Sequence, residues 1–162
     1  MLFKFTDIKD SFEEKINSWI KAYDVIESAL NLFFSVRYSQ NQYVESEFLS
    51  LAQAFETYHR QLNKSSKKIN YVDRVKGIIK PFHKYINDNI EEISETIKIT
   101  RNYYTHYDDR NLNKAISCQE LPNLSRKMEG ILQLNFLKLI GFTETEIDKI
   151  YNSNATLKSR FI

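Results

Sequence analysis

Apolar residues recur at spacings of three and four along nearly the whole chain, and these spacings predict helices rather than strands. Over residues 11–38 the series Phe12, Ile16, Trp19, Ile20, Tyr23, Ile26, Leu30 and Phe33 falls on one side of a 3.6-residue repeat. Ser11 and Glu14 stand at the spacing of a capping box before it. A second helix is expected over 43–63, with Phe48, Leu51, Ala52, Phe55, Tyr58 and Leu62 facing inward. The polar run NKSSKKIN then leads to a short helix near 72–80, stopped by Pro81. Residues 87–107 repeat the pattern with Ile90, Ile93 and Ile97. After a loop through Pro122, residues 123–140 carry Leu124, Met128, Ile131, Leu132, Leu134, Leu137 and Ile140, and Gly141 is a natural stop. Thr143 and Glu146 form a second capping box, with Phe142 and Ile147 placed as a hydrophobic staple, before a last helix over 144–153. The expected fold class is all-α: a bundle of four long helices plus short accessory helices, in one domain over 1–162.

Composition agrees with this picture. Three glycines and two prolines interrupt 162 residues, and 42% of positions are hydrophobic. The net charge of +2 neither requires nor excludes a nucleic-acid partner, so any such role needs a local basic surface. Cys118 is the only cysteine, which rules out an internal disulfide and suits a reducing, cytoplasmic setting. No run approaches the roughly 18 apolar residues of a membrane span. The N-terminal MLFKFTDIKD is too short and acidic for a signal peptide.

The stretch TIKITRNYYTHYDDRN, residues 96–111, departs from a plain core helix. With Ile90 at zero on a helical wheel, Arg101 lands at about 20°, in line with the isoleucine stripe. A buried, unpaired charge is strongly unfavourable, so Arg101 must find a partner, reach solvent at the bundle's end, or serve chemistry. His106 falls at about 160°, sharing a second, mixed face with Ile99 and Asn102. That face suggests a contact surface, although Ile99 as one exposed aliphatic is also an ordinary finding. Arg101 and His106 stand about 140° apart, too far to stack on one ligand within a regular helix. Arg101's length, a distorted helix end or a second copy of the helix would remove that difficulty, which favours a site assembled across a two-fold dimer axis.

Other residues carry less signal. His59 extends the stripe of Phe48, Phe55 and Leu62 and reads as a satisfied core histidine. Glu56 is either a partner for Arg101 across helices or a surface glutamate. His83 falls in an expected loop. The scattered histidines and the lone cysteine lack zinc spacing. Asp108 and Asp109 read as helix-end or loop residues rather than metal ligands. There is no glycine-rich phosphate loop, which argues against ATP hydrolysis.

In TRNYYTHYD, Arg101, Asn102 and His106 match the signature of the HEPN superfamily: an Arg, four to six residues, then His, commonly with Asn after the Arg. More narrowly, FLSLAQAFETYHR (48–60) and GFTETEID (141–148) resemble the ApeA-like branch found in bacterial anti-phage proteins. The likeness runs from about Trp19 to Tyr151. It implies a dimerising helical bundle whose paired Arg/His motifs form a metal-independent ribonuclease site. It also implies RNA substrates, tRNA being one class, and an N-terminal sensor domain or regulatory partner in many members. The chain is then either a stand-alone protein or the C-terminal domain of a longer one. Some HEPN toxins carry a modifiable Tyr two residues after the His; Asp108 stands there in this chain.

The implied catalytic set is Arg101, Asn102 and His106. RNA brings its own nucleophile, the 2′-OH. An imidazole can act as base or acid, and a guanidinium offers a planar fork of donors to phosphate. Asn102 can hydrogen-bond the phosphate or hold His106. No cofactor or metal is required. Tyr103 and Tyr107 are candidates for base stacking, whereas Tyr104, on the apolar stripe, reads as core. Lys64, Lys67, Lys68, Arg110 and Lys114 are candidates for steering phosphates, with a solvated loop as the plainer reading. A non-catalytic module that binds RNA or protein, or a regulatory domain, is the competing expectation.

Overall fold

The computed structural model describes residues 2–39, 42–64 and 68–162. The helices are α1 (Phe5–Ile8), α2 (Phe12–Tyr38), α3 (Val44–Leu62), α4 (Tyr71–Ile79), α5 (Ile90–His106), α6 (Leu121–Leu139), α7 (Glu144–Ser153) and α8 (Ala155–Lys158). Short 3₁₀ turns cover Lys9–Ser11, Lys80–Tyr85 and Ser159–Phe161. Among the described residues there is no strand, and no helix is long and apolar enough to cross a membrane. The all-α bundle is therefore as the periodicity requires.

Helices α3 and α6 form the centre. Helix α3 packs on α2, α4, α5 and α6, while α6 also meets α2, α4, α7 and the C-terminal turn. Every residue from Ile131 to Leu137 is buried, polar ones included. Asn135 is satisfied inside this core: its Nδ2 donates to the carbonyls of Ile78 (3.0 Å) and Ile131 (2.9 Å). The Tyr58 hydroxyl donates to the Asn135 carbonyl at 3.3 Å.

Several boundaries differ from the sequence expectation. Ser11 does not cap α2, because the 3₁₀ turn runs directly into the helix and the Ser11 hydroxyl donates back to the Ile8 carbonyl at 3.4 Å. Pro81 does not end the helical path. It sits in the first turn of the Lys80–Tyr85 element, where its missing N–H costs nothing, and His83 lies in that turn rather than in a loop. Helix α6 starts at Leu121 with Pro122 in its first turn for the same reason. The Thr143 box forms as read: Thr143 Oγ1 accepts from the Glu146 N–H (3.3 Å), and Glu146 Oε2 accepts from the Thr143 N–H (2.7 Å). Phe142 and Ile147 are both buried, as a staple requires.

The long stripe on α2 divides into two parts. At Ile26 the backbone leaves helical geometry (φ −116°, ψ 20°). Beyond it Ala29, Leu30 and Phe33 are buried, whereas before it Phe12, Ile16, Ile20 and Tyr23 are exposed, Ile20 by 56%. Phe12 and Ile16 face an open cavity shared with Leu137 of α6 and Phe142, so this half of α2 runs beside its neighbours without filling the space between them. One buried group ties it down. Lys15 Nζ donates to the Gly141 carbonyl (3.2 Å), pairs with Glu146 (3.2 Å) and lies over the Phe142 ring at 4.1 Å. Gly141 itself has φ +90°, a conformation that side chains other than glycine's strain to adopt.

The C-terminal turn clamps α6. Arg160 pairs with Glu129, which also accepts from Arg37 at 3.3 Å, and the two arginines close over the middle of α6. Phe161 lies so near Gly130 that a Cβ there would stand 2.6 Å from the ring. Gly130→Ala should therefore destabilise the protein by about 1–3 kcal/mol, the usual cost of overpacking. Denaturant unfolding measures this, and the double variant Gly130→Ala/Phe161→Leu should recover part of the loss.

The Glu146 carboxyl has an acid dependence that follows from its partners. Burial pushes its pKa up, but the Thr143 N–H and hydroxyl and the Lys15 ammonium outweigh this and hold it below the ordinary 4.5. A carboxyl depressed in the folded state contributes stability that is fully present above 4.5 and is lost as pH falls through its lower folded value. Glu146→Gln should flatten this part of the acid-unfolding profile, followed by circular dichroism.

Candidate functional site

Helix α5 carries the site, and its two ends fix which residues belong to it. Asn89 caps the start, its Oδ1 accepting from the N–H groups of Glu91 (2.9 Å) and Glu92 (3.3 Å). The helix ends at His106 because Tyr107 adopts a left-handed conformation (φ 50°, ψ 40°), so the imidazole stands on the last helical residue. Both ends lie inside the expected span of 87–107.

The inward face of α5 consists of Ile93, Ser94, Ile97, Thr100 and Tyr104, while Ile90 is only half-buried. The centre of that face is rotated by about 30° from Ile90, away from Arg101, which leaves Arg101 about 50° off the centre. Arg101 is accordingly half-exposed and reaches sideways. Its Nη2 pairs with Glu56 of α3 at 3.6 Å, and its guanidinium lies 5.0 Å from the ring of Tyr71 of α4. Its Nη1 donates to Asn102 Oδ1 at 3.5 Å. Of the two readings of Glu56, partner and surface residue, the structure selects the partner.

Further cations converge on the same side. Glu56 also pairs with Arg60 at 2.7 Å, and Arg74 of α4 contacts His59 Nδ1 at 3.2 Å. Two guanidiniums, from α3 and α5, thus share one carboxylate, and that of Arg74 on α4 stands against the neighbouring His59, which leaves a surplus of positive charge. His59 is half-buried rather than a core residue. Burial and the adjacent Arg74 push its imidazole below the ordinary 6.5 and favour its neutral form. Arg60, Tyr71 and Arg74 were not singled out in the sequence, since nothing in a linear pattern shows that α4 brings Tyr71 and Arg74 alongside α3 and α5.

His106 lies elsewhere. It is exposed and has no hydrogen bond or ion pair among the described residues, while Ile99 and Asn102 are half-buried. No contact joins His106 to Arg101 within the chain, in keeping with their separation of about 140°. Tyr103 and Tyr107 do not stand free. Their rings pack edge-on at 5.6 Å, and Tyr103 meets Tyr104 at 4.9 Å. Tyr107 is exposed and Tyr103 half-buried, so each keeps an accessible face. Lys64, Lys68, Arg110 and Lys114 are exposed, and Lys67 lies outside the described residues. Arg110 is loosely paired with Asp108 at 3.7 Å, and Asp108 accepts from Asn111 as a turn residue. Among the described residues no group of three or more His, Cys, Asp or Glu could hold a metal ion.

The segment after His106 is pinned back to α5. Tyr104 Oη donates to the Ile116 carbonyl (2.9 Å), and Thr100 Oγ1 accepts from the Ile116 N–H (3.2 Å). Tyr104→Phe should cost about 1 kcal/mol, the net worth of one such bond. Amide hydrogen exchange should then quicken through residues 108–117 and leave α6 unchanged; an unchanged loop would show that the bond does not order it.

The model of the Apea-like HEPN family matches residues 49–146, a span from α3 through α5 and α6 into the first turn of α7. Comparison with curated proteins gave no match, and neither did comparison with solved structures. The matched span contains Glu56, Tyr71, Arg74, Arg101, Asn102 and His106, and HEPN domains are in general RNA-directed ribonucleases. With more than half of its residues inside that match and an all-helical bundle around them, the chain belongs to the Apea-like HEPN family.

Proposed function

We propose that this protein is a metal-independent endoribonuclease that acts as a homodimer, in anti-phage defence. The observation that carries the reading is the end of α5: an exposed, unpartnered His106 one turn beyond an Arg101–Asn102 pair, in a chain of this family. In the proposed reaction an imidazole takes the proton from the 2′-OH. The 2′-oxygen attacks the adjacent phosphorus, the bond to the 5′-oxygen breaks, and a second imidazole returns a proton to that leaving oxygen. The products are a 2′,3′-cyclic phosphate and a free 5′-hydroxyl. Helix α5 carries one exposed imidazole per chain, which supports the two-copy arrangement, with His106 of each copy supplying one of the two proton transfers. Arg101 supplies bidentate charge to the phosphorane, and Asn102 steadies that guanidinium. Arg60 and Arg74, with exposed Lys64, Lys68 and Arg110, extend positive charge for the strand, and the open faces of Tyr103 and Tyr107 suit bases. The whole chain, 1–162, acts here as one effector domain, alone or behind a sensor domain.

The Glu56–Arg101 pair favours one alternative, a non-catalytic RNA- or protein-binding module in which Arg101 is structural. The experiment separates the two. Purified protein is incubated with total RNA in EDTA. Cleavage with cyclic-phosphate ends should fall by about 10²–10⁴-fold in His106→Ala, the usual size of an acid–base contribution, with helical content unchanged. Arg101→Lys should retain little activity, since a point charge cannot replace the planar fork. A substrate with a 2′-deoxy at the cut site should resist. Cleavage of that substrate, or equal activity in His106→Ala, would rule out this mechanism.

A further inference from the structure

The first half of α2 lacks a partner on one side. Phe12, Ile16, Ile20 and Tyr23 are each at least 40% exposed. With Phe12 at zero on a helical wheel, Tyr23 falls at about 20°, Ile16 at about 40° and Ile20 at about 80°, so the four form one continuous stripe. A single exposed apolar side chain is ordinary, but a stripe of four marks a contact surface. Along one side the stripe borders a slot of about 650 Å³ between α2 and α6, whose walls include Trp19, Leu137 and Phe142.

Along the other side the stripe is edged by acids. Glu13 falls at about 100° and Asp24 at about 120°, three turns apart on one line, and Glu27 follows just beyond the break at Ile26. All three are exposed, and none of their carboxylates has a hydrogen bond or ion pair among the described residues. Nearby cations do not offset them. Lys15 and Arg37, at the two ends of the slot, are paired with Glu146 and Glu129. Lys21 falls at about 180°, beside Glu14 at about 200° and away from the stripe. The uncommitted charge beside the stripe is therefore negative, in a chain whose net charge is +2.

The shape of the stripe suits a helix. Phe12, Ile16 and Ile20 stand four residues apart, as do Lys15, Trp19 and Tyr23, and two such parallel rows are the ridges between which a ridge of a second helix packs. Among the described residues there is no strand whose edge could take up an extended segment. The charge selects which helix. Residues flanking the apolar face of an incoming helix come to lie along Glu13, Asp24 and Glu27, where Lys and Arg are favoured and Asp and Glu repelled. A second copy paired antiparallel over this stripe would set the acidic edge against itself, and an anionic lipid surface would be repelled in the same way. We infer that the exposed face of α2 docks a basic amphipathic helix of a partner protein, its apolar side on Phe12, Ile16, Ile20 and Tyr23 and its cations along the acidic edge. This surface is independent of the ribonuclease reading.

The test uses the full chain and four labelled peptides of about four helical turns, followed by fluorescence anisotropy. Three share one leucine face and carry Lys, Gln or Glu on the other; the fourth has the Leu/Lys composition in an order without a helical stripe. The Leu/Lys peptide should bind, the Leu/Gln peptide about tenfold more weakly, the scale of three exposed ion pairs, and the Leu/Glu peptide more weakly still. The scrambled peptide should not bind. Added salt should narrow the gap between Lys and Gln. The triple variant Glu13→Gln/Asp24→Asn/Glu27→Gln should remove the preference for Lys and leave the Leu/Gln peptide unchanged. Ile20→Ser should weaken all three stripe peptides by about fivefold, from the apolar area it removes. Both variants alter exposed side chains, so thermal unfolding should not change. Amide chemical shifts should move mainly in residues 12–27, together with the emission of Trp19, the chain's single tryptophan. No binding of the Leu/Lys peptide, equal binding of the Lys and Gln peptides, or binding that ignores the carboxylate variant would overturn the proposal. So would a doubling of mass in light scattering that Ile20→Ser abolishes, which would assign the stripe to a second copy. A Trp19 shift on phosphatidylcholine vesicles in place of the peptides would overturn it in favour of a lipid surface.

Discussion

The constraint on which the rest of the structure depends is the burial of α6 around its whole circumference. A helix enclosed on every side cannot leave its polar groups to water, so each must be met inside the protein. Asn135 is met by the α4 carbonyl of Ile78, and its own carbonyl by Tyr58 of α3. Glu129 is met by Arg37 of α2 and Arg160 of the C-terminal turn. These bonds join four separate elements to one axis and fix where each lies along it. Gly130 allows the C-terminal turn to approach closely enough for Arg160 to reach. Among the described residues the Ser125 hydroxyl and the Gln133 amide oxygen are the exceptions, and the latter lies where the packing around α6 opens into a slot.

The site on α5 rests on that centre at one remove. Helix α3 lies between α6 and α5 and carries Glu56 on its outer side, so the core places the carboxylate that receives Arg101. Tyr71 is fixed in turn by its hydroxyl bond to the Ala52 carbonyl at 3.1 Å, which gives the guanidinium a rigid ring to lie against. A long, flexible cation is thereby held without being buried, in an orientation it would not keep in water. His106 is treated in the opposite way: it ends the helix and stands open to solvent. The held cation and the open imidazole thus stand on different faces of one helix.

The two regions of interest share no residues. The basic cluster involves the outer sides of α3, α4 and α5, and the apolar slot lies across the molecule between α2 and α6. Helices α3 and α6 lie between them.

The sequence by itself determined where the helices are, because a 3.6-residue repeat of apolar side chains and a capping box are local properties of the chain. Thr143 and Glu146 cap α7 as read, and the Arg101–Asn102–His106 signature identified the family. It also left Glu56 open as a partner for Arg101 or a surface glutamate, and the structure pairs the two. What only the tertiary structure decided is which apolar face becomes core and what each polar side chain meets. Phe12, Ile16, Ile20 and Tyr23 repeat as regularly as Leu30 and Phe33, yet they stay exposed on the other side of the break in helical geometry at Ile26. Arg101 sits at the edge of its stripe because α5 settles with Thr100 and Tyr104 inward, a rotation set by the fit against α3 and α4. Tyr71 and Arg74 join the site, and Gln133 loses its partner, for the same reason. Periodicity fixes a helix's faces only relative to one another, and contacts distant in sequence fix how far the helix turns and what lies opposite.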